Sequence, residues 1–173
     1  MIQFCPTHPS LGGFVVEGIG APLAGVPFPN DRVNYSQLYD LGYRWILCLA
    51  ADQPSKRYDP KPMRWLEACE APLPYDHNSS ELAEIVRRAQ LALKKLQTGE
   101  GVLVHCQQGI DRTGAMIATI LRLQGFLSTM IATELYAILR TTHGSDWATQ
   151  TDFIRIQEFL TRLDLLLSNR HSQ

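Results

Sequence analysis

The segment from Gly101 to Leu123 constrains this 173-residue chain more than any other. Val102-Leu103-Val104 is a short unbroken apolar run, the mark of a strand buried on both faces, and it leads straight into His105-Cys106. After a short loop, Thr113 to Leu123 is apolar on nearly all sides and reads as a helix inside the protein, not on its surface. A strand and a helix that both avoid water need further elements around them. Trp45-Ile46-Leu47-Cys48-Leu49 supplies a second buried strand. Strands alternating with helices predict an α/β fold with a central, mostly parallel sheet flanked by helices.

The rest of the chain reads around that core. The first thirty residues are rich in Gly and Pro, with one strand at Phe14-Val15-Val16 amid loops. Asp31 to Leu41 reads as a short helix turning Val33, Leu38 and Leu41 inward and ending at Gly42. Residues 51–62 are polar and hold three prolines, as a surface loop would, and Trp65 to Leu73 is a weaker strand candidate. Asn78 to Leu96 is the clearest helix: Asn78 and Glu81 have the form of a capping box, and Leu82, Ile85, Val86, Ala89, Leu93 and Leu96 share a face. Two amphipathic helices close the chain, one on Ile131, Leu135, Ile138 and Leu139, the other on Phe153, Ile156, Phe159, Leu160 and Leu163. There is no repeat or composition break, and residues 1–173 read as one domain.

The net charge of -1 offers no basic excess for nucleic acid. No apolar run reaches membrane-spanning length, and the N-terminus has no secretory pattern, so a cytoplasmic protein without a membrane partner is expected. Cys5, Cys48, Cys69 and Cys106 have no metal-ligand spacing; no metal and no cofactor are expected, and the thiols should be free in a reducing compartment.

The chemistry lies in His105-Cys106-Gln107-Gln108-Gly109-Ile110-Asp111-Arg112-Thr113-Gly114. Ligands of α/β sheets bind beyond the carboxyl ends of the strands, where this loop falls. Five residues between Cys106 and Arg112 let the backbone curl into a cup of inward N–H groups at a helix N-terminus, an anion site. Gly109 permits the tight turn, and Arg112 adds a planar fork for two phosphate oxygens. The same cup favours a Cys106 thiolate, a nucleophile at neutral pH. His105 would orient the loop. Thr113 would donate a hydrogen bond to the sulfur. Gln107, Gln108, Gly109, Ile110 and Asp111 would line the bound phosphate with Arg112, Asp111 more plausibly as a helix-capping side chain.

This His-Cys-x5-Arg-Thr-Gly pattern is the signature of the protein tyrosine phosphatase superfamily, and the chain resembles its small atypical dual-specificity branch. Gly20-Ala21-Pro22-Leu23-Ala24-Gly25 and Leu38-Tyr39-Asp40-Leu41-Gly42-Tyr43-Arg44 carry the likeness upstream, and Gly144 to Gln150 downstream. The resemblance implies the cysteine phosphatase fold and hydrolysis through a phosphocysteine. It puts Asp76 in the place of the general acid on a loop about thirty residues before the cysteine. Asp76 also suits the cap of the following helix, and Asp52 and Asp59 are the other candidates for the acid. Gln150 resembles the family's water-positioning glutamine, although a surface Gln at a helix start reads equally well. Cys48 aligns with a cysteine that some relatives use as a redox partner of the nucleophile. Cys69 is a second candidate, and packing alone would also explain Cys48.

The cup lacks the lysines that phosphoinositide phosphatases place between Cys and Arg, and Asp111 would oppose a polyanion. A phosphorylated protein, on Tyr and by family analogy on Ser/Thr, is the expected partner of a monomeric enzyme. The alternatives are a non-protein substrate (phosphoinositide, inositol phosphate or RNA 5′-phosphate), a non-catalytic phosphate-binding module, and a sulfurtransferase on a related loop.

Overall fold

The structure is a computed structural model and describes residues 2–7, 11–29, 33–50, 58–66, 79–144 and 150–170. The elements run β1 (Gln3–Pro6), β2 (Phe14–Glu17), β3 (Leu23–Val26), α1 (Tyr35–Asp40), β4 (Tyr43–Cys48), β5 (Arg64–Trp65), α2 (Ser79–Gln97), β6 (Gly101–His105), α3 (Asp111–Leu123), α4 (Ser128–His143) and α5 (Gln150–Arg170). The six strands form one sheet in the order β1-β2-β3-β6-β4-β5. β3, β6, β4 and β5 are parallel, and the β1-β2 hairpin adds antiparallel to β3. The α/β reading with a mostly parallel sheet therefore holds, and β6 lies at its centre.

Because side chains alternate along β6, its two faces meet different partners. Val102, Val104 and then Cys106 join the aliphatic core under α2, α3, α4 and α5. Leu103 joins a smaller cluster with Ala24, Val26, Leu38, Tyr43, Ile46 and Met63, against which Tyr35, Tyr58 and Trp65 pack. α3 is buried from Arg112 through Leu121, as its all-round apolar sequence requires.

The first thirty residues hold three strands where one was expected. β3 escaped notice because it lacks bulky β-branched side chains at its middle. A Cβ on Gly25 would lie 2.7 Å from the Phe14 ring and 2.8 Å from Thr113 Cγ2, so the close approach of β2 and α3 demands the small residue. β1 is an edge strand ending in Pro6, and its one core anchor is Phe4, with its ring 5.5 Å from that of Phe14. The first helix is shorter than expected. Asn34 caps it by accepting from Gln37 N at 3.0 Å, and Leu41, 62% exposed, points out instead of in. The expected surface loop at 51–62 is described only from Tyr58, and there it turns inward: Tyr58 is half-buried and Pro60 buried. Of the weaker strand expected from Trp65 to Leu73, Trp65 pairs with β4, as does Arg64 just before it, and residues 67–73 lie outside the described residues, as does Asn78 of the capping box.

Candidate active site

The Cys106–Ile110 loop leaves the C-terminal end of the central strand, and the neighbouring strands clamp it. Val26 of β3 and Cys48 of β4 stand in register with His105. On one side Phe28 N donates to the Gln107 carbonyl at 3.0 Å; on the other Leu49 N donates to the His105 carbonyl at 2.7 Å. Gly109 turns the loop at a φ of +77°, and a Cβ there would lie 2.5 Å from Pro27 N and 2.6 Å from the Val26 carbonyl carbon. The left-handed backbone and the missing space both require glycine.

Cys106 is 3% exposed, and its Sγ accepts the Gly109 N–H at 3.2 Å. The α3 N-terminus follows directly and adds its partial positive charge. Arg112, in the first turn of α3, is buried, and its Nη1 donates to the Leu49 carbonyl at 2.8 Å. That bond ties the guanidinium to the end of β4, so its position does not depend on a long flexible stem alone. A backbone donor aimed at the sulfur, a helix N-terminus and a fixed guanidinium make a small region that favours an anion over a neutral group.

His105 is fully buried and lies on the other face from Cys106. Its Nδ1 lies 3.2 Å from the Cys106 carbonyl oxygen and its Nε2 lies 2.7 Å from the Tyr58 hydroxyl. Burial pushes its pKa down to about 4, against the hydrogen bond to Cys106. The ring is therefore neutral at neutral pH. A carbonyl only accepts, so Nδ1 carries the proton and Nε2 accepts from Tyr58.

The rim is polar. Gln107, Gln108 and Asp111 are exposed and Ile110 is half-buried. Asp111 is not the cap of α3. The N-cap position is Ile110, with no side-chain cap bond, and Asp111 is the first helical residue, where its charge suits the helix dipole. Thr113 is fully buried, and its Oγ1 has no hydrogen-bond partner among the described residues. The expected bond from Thr113 to the sulfur is not formed in this structure; the Gly109 N–H takes that place.

Asp76, Asp52 and Cys69 lie outside the described residues, and so does the side chain of Gln150, the first residue of α5. Asp59 is exposed at the surface beside Lys61, whose ammonium is 3.0 Å away. Hydrogen bonds from Lys61 hold its carboxyl below the usual range, which is wrong for a proton donor near neutrality. Cys48 stands on the strand beside that of Cys106, as expected, and Cys5 and Cys106 are free thiols. Among the described residues no group of three His, Cys, Asp or Glu is placed to hold a metal ion, and no helix is long and apolar enough to cross a membrane.

Residues 25–125 match the family described as polymorphic toxin system, DSP-PTPase phosphatase. The chain belongs to this phosphatase family. Among solved structures, Pseudomonas aeruginosa TpbA superposes with a TM-score of 0.61 at 18% identity over 94% of this chain and 96% of that one; that structure is a cysteine-to-serine variant in complex with pTyr. Human DUSP28 gives a TM-score of 0.56 at 18% identity over 92% and 98%. The Siw14 catalytic core gives 0.52 at 19% over 98% and 95%. At these identities the likeness is one of fold, the cysteine phosphatase fold. A comparison with curated proteins gave no match.

Three contributors to the DSP-PTPase loop were not visible in the sequence. Leu49 acts through its carbonyl and Phe28 through its N–H, and backbone groups carry no residue signature. Tyr58 had one faint signal, a lone aromatic in a polar, proline-rich stretch.

Proposed function

We propose that this chain hydrolyses phosphomonoesters on protein Tyr, and on Ser/Thr, through a phosphocysteine on Cys106. The observation that carries the reading is the buried Cys106 sulfur receiving the Gly109 N–H at 3.2 Å, beside the buried Arg112 and the α3 N-terminus. In the first step the thiolate attacks phosphorus while the P–O bond to the leaving group breaks. Asp76 gives its proton to the departing oxygen. Arg112 and the loop N–H groups hold the phosphoryl oxygens as charge shifts among them. In the second step the Asp76 carboxylate takes a proton from water, the water oxygen bonds to phosphorus, and the S–P bond breaks to return the thiolate. Gln150 would hold that water. Thr113 Oγ1, buried with no partner among the described residues, would turn its proton to the sulfur as the thiolate leaves.

The exposed Gln107, Gln108 and Asp111 offer no cation on the rim for extra phosphates, which favours a singly phosphorylated side chain. The pTyr complex of the TpbA variant supports the same substrate class. The test is a small aryl phosphate assayed beside phosphopeptides and phosphorylated lipids. Cys106→Ser should lower turnover by on the order of 10⁴-fold or more. Asp76→Asn should lose the basic limb of the pH–rate profile while Cys106 stays reactive. No turnover by the wild type on any of these compounds would overturn the reading.

A further inference from the structure

Among the described residues two large apolar side chains of α5 face solvent, Ile154 at 46% exposed and Leu165 at 63%. At 3.6 residues per turn they lie about three turns apart, within about 20° of one line down the helix and about 16 Å along it. The stripe that α5 buries, Phe159, Leu160 and Leu163, is on the opposite side. A surface helix needs apolar residues on its inward stripe alone, so this outer pair has no role in the fold of one chain. Glu158 and Arg162 stand between the two, both exposed. They are one turn apart in the order that suits an ion pair within a helix, yet they form none. The ion pairs that α5 does make use Asp152 with Arg155 and Asp164 with Arg122, and neither the Glu158 nor the Arg162 side chain has a polar partner among the described residues. Ile154, Gln157, Glu158, Thr161 and Arg162 line a shallow depression on this face.

The order of these side chains is complementary to itself. Glu158 and Arg162 fall on one flank of the Ile154–Leu165 line, and Gln157 and Thr161 fall on the other. A two-fold axis across the helix sets each flank against the same flank of a second copy, with the order reversed. Centred at the height of Leu160, it brings Ile154 to the partner's Leu165, Leu165 to the partner's Ile154, and Glu158 to the partner's Arg162 on both sides of the axis. A parallel pair would set Glu158 against Gln157 or Thr161 and leave both charges unmatched. We propose that the outer face of α5 is the interface of a homodimer, in which two copies of the helix run antiparallel. One helix face covers less than the roughly 800 Å² per partner of a standard interface, so the dimer is weak, with a Kd of about 10–100 µM.

Sedimentation equilibrium of the 173-residue chain over a concentration series reads the association directly. The wild type is expected to pass from monomer to dimer and no further, because the two-fold contact closes on itself. Leu165→Ser should raise the Kd at least about tenfold. Glu158→Arg and Arg162→Glu should each be monomeric, since each sets like charges against like. An equimolar mixture of those two variants should dimerise again, because one chain then carries two arginines and the other two glutamates at the facing positions. The substituted side chains all face solvent, and circular dichroism of each variant checks that the helices are kept. The mixture separates contact between chains from any effect within one helix. A mixture that stays monomeric, or a Leu165→Ser dimer as tight as the wild type, would overturn the proposal. So would a wild type still monomeric at about 1 mM, which would leave this face to a different protein.

Discussion

On one face of the sheet, α2 to α5 bury an aliphatic core around Ile85, Met116, Ile117, Ile120 and Ile131; on the other, α1 and residues 58–66 set Tyr35, Tyr58 and Trp65 over a cluster a fraction of that size. The large face supplies packing without direction, since apolar burial depends on area and little on angle. The small face supplies direction, since edge-on rings and hydrogen bonds work only at set geometries. β6 connects the two by alternation. Cys106 falls on the large face, where α3 gives it a helix N-terminus, and His105 falls on the small face, where its Nε2 lies 2.7 Å from the Tyr58 hydroxyl. One loop thus draws its stability and its alignment from opposite sides of the same strand.

The division can be broken by substitutions that touch one side only. Ile117→Ala, on the large face and fully buried, should cost about 2–5 kcal/mol in denaturant unfolding. Its folded fraction should keep kcat within a few-fold, because no aligning contact is touched. A large loss of kcat would show that the aliphatic face also aims the loop.

Acid should attack the small face next. His105 is held at about 4 when folded, below the ordinary histidine value of 6.5. The unfolded chain therefore takes up a proton at this residue below about pH 6.5 and the folded chain does not until about pH 4. Its contribution to stability is complete above pH 6.5 and declines between there and pH 4, by about 2 kcal/mol from pH 7 to pH 5. Burial lowers His143 as well and tilts the slope the same way, so the measurement is the difference between wild type and His105→Asn. Equal slopes in the two proteins would remove His105 from the acid response.

The smallest effect belongs to the far end of the large face. Asp164 on α5 accepts from Arg122 Nε at 2.6 Å and from Ser128 Oγ at 2.7 Å, joining three helices away from the loop. Asp164→Asn should cost about 1 kcal/mol and leave both kcat and KM unchanged.

Much of this was legible in the chain. Val102–Val104 and Thr113–Leu123 announced themselves because an element buried on all sides has no polar face to show, and nothing else explains such runs. The loop between them was legible because an anion cup needs Gly109 for its backbone and Arg112 for its fork, which leaves few substitutes. β3 was hidden by the rule that revealed the others. Ala24 and Gly25 are small so that α3 and β2 can come close, and small residues look like loop. Asp111 read as a cap because its type suits one, but the helix begins one residue too early for it.

By itself, then, the sequence determined the loop: a cysteine, an arginine and a glycine whose spacing is a local matter that the chain order carries directly. Only the tertiary structure decided how that loop is aimed. Leu49, Phe28 and Tyr58 act from three other segments, two of them through backbone groups that every residue possesses, and such contacts exist only once β3, β4 and β6 lie side by side.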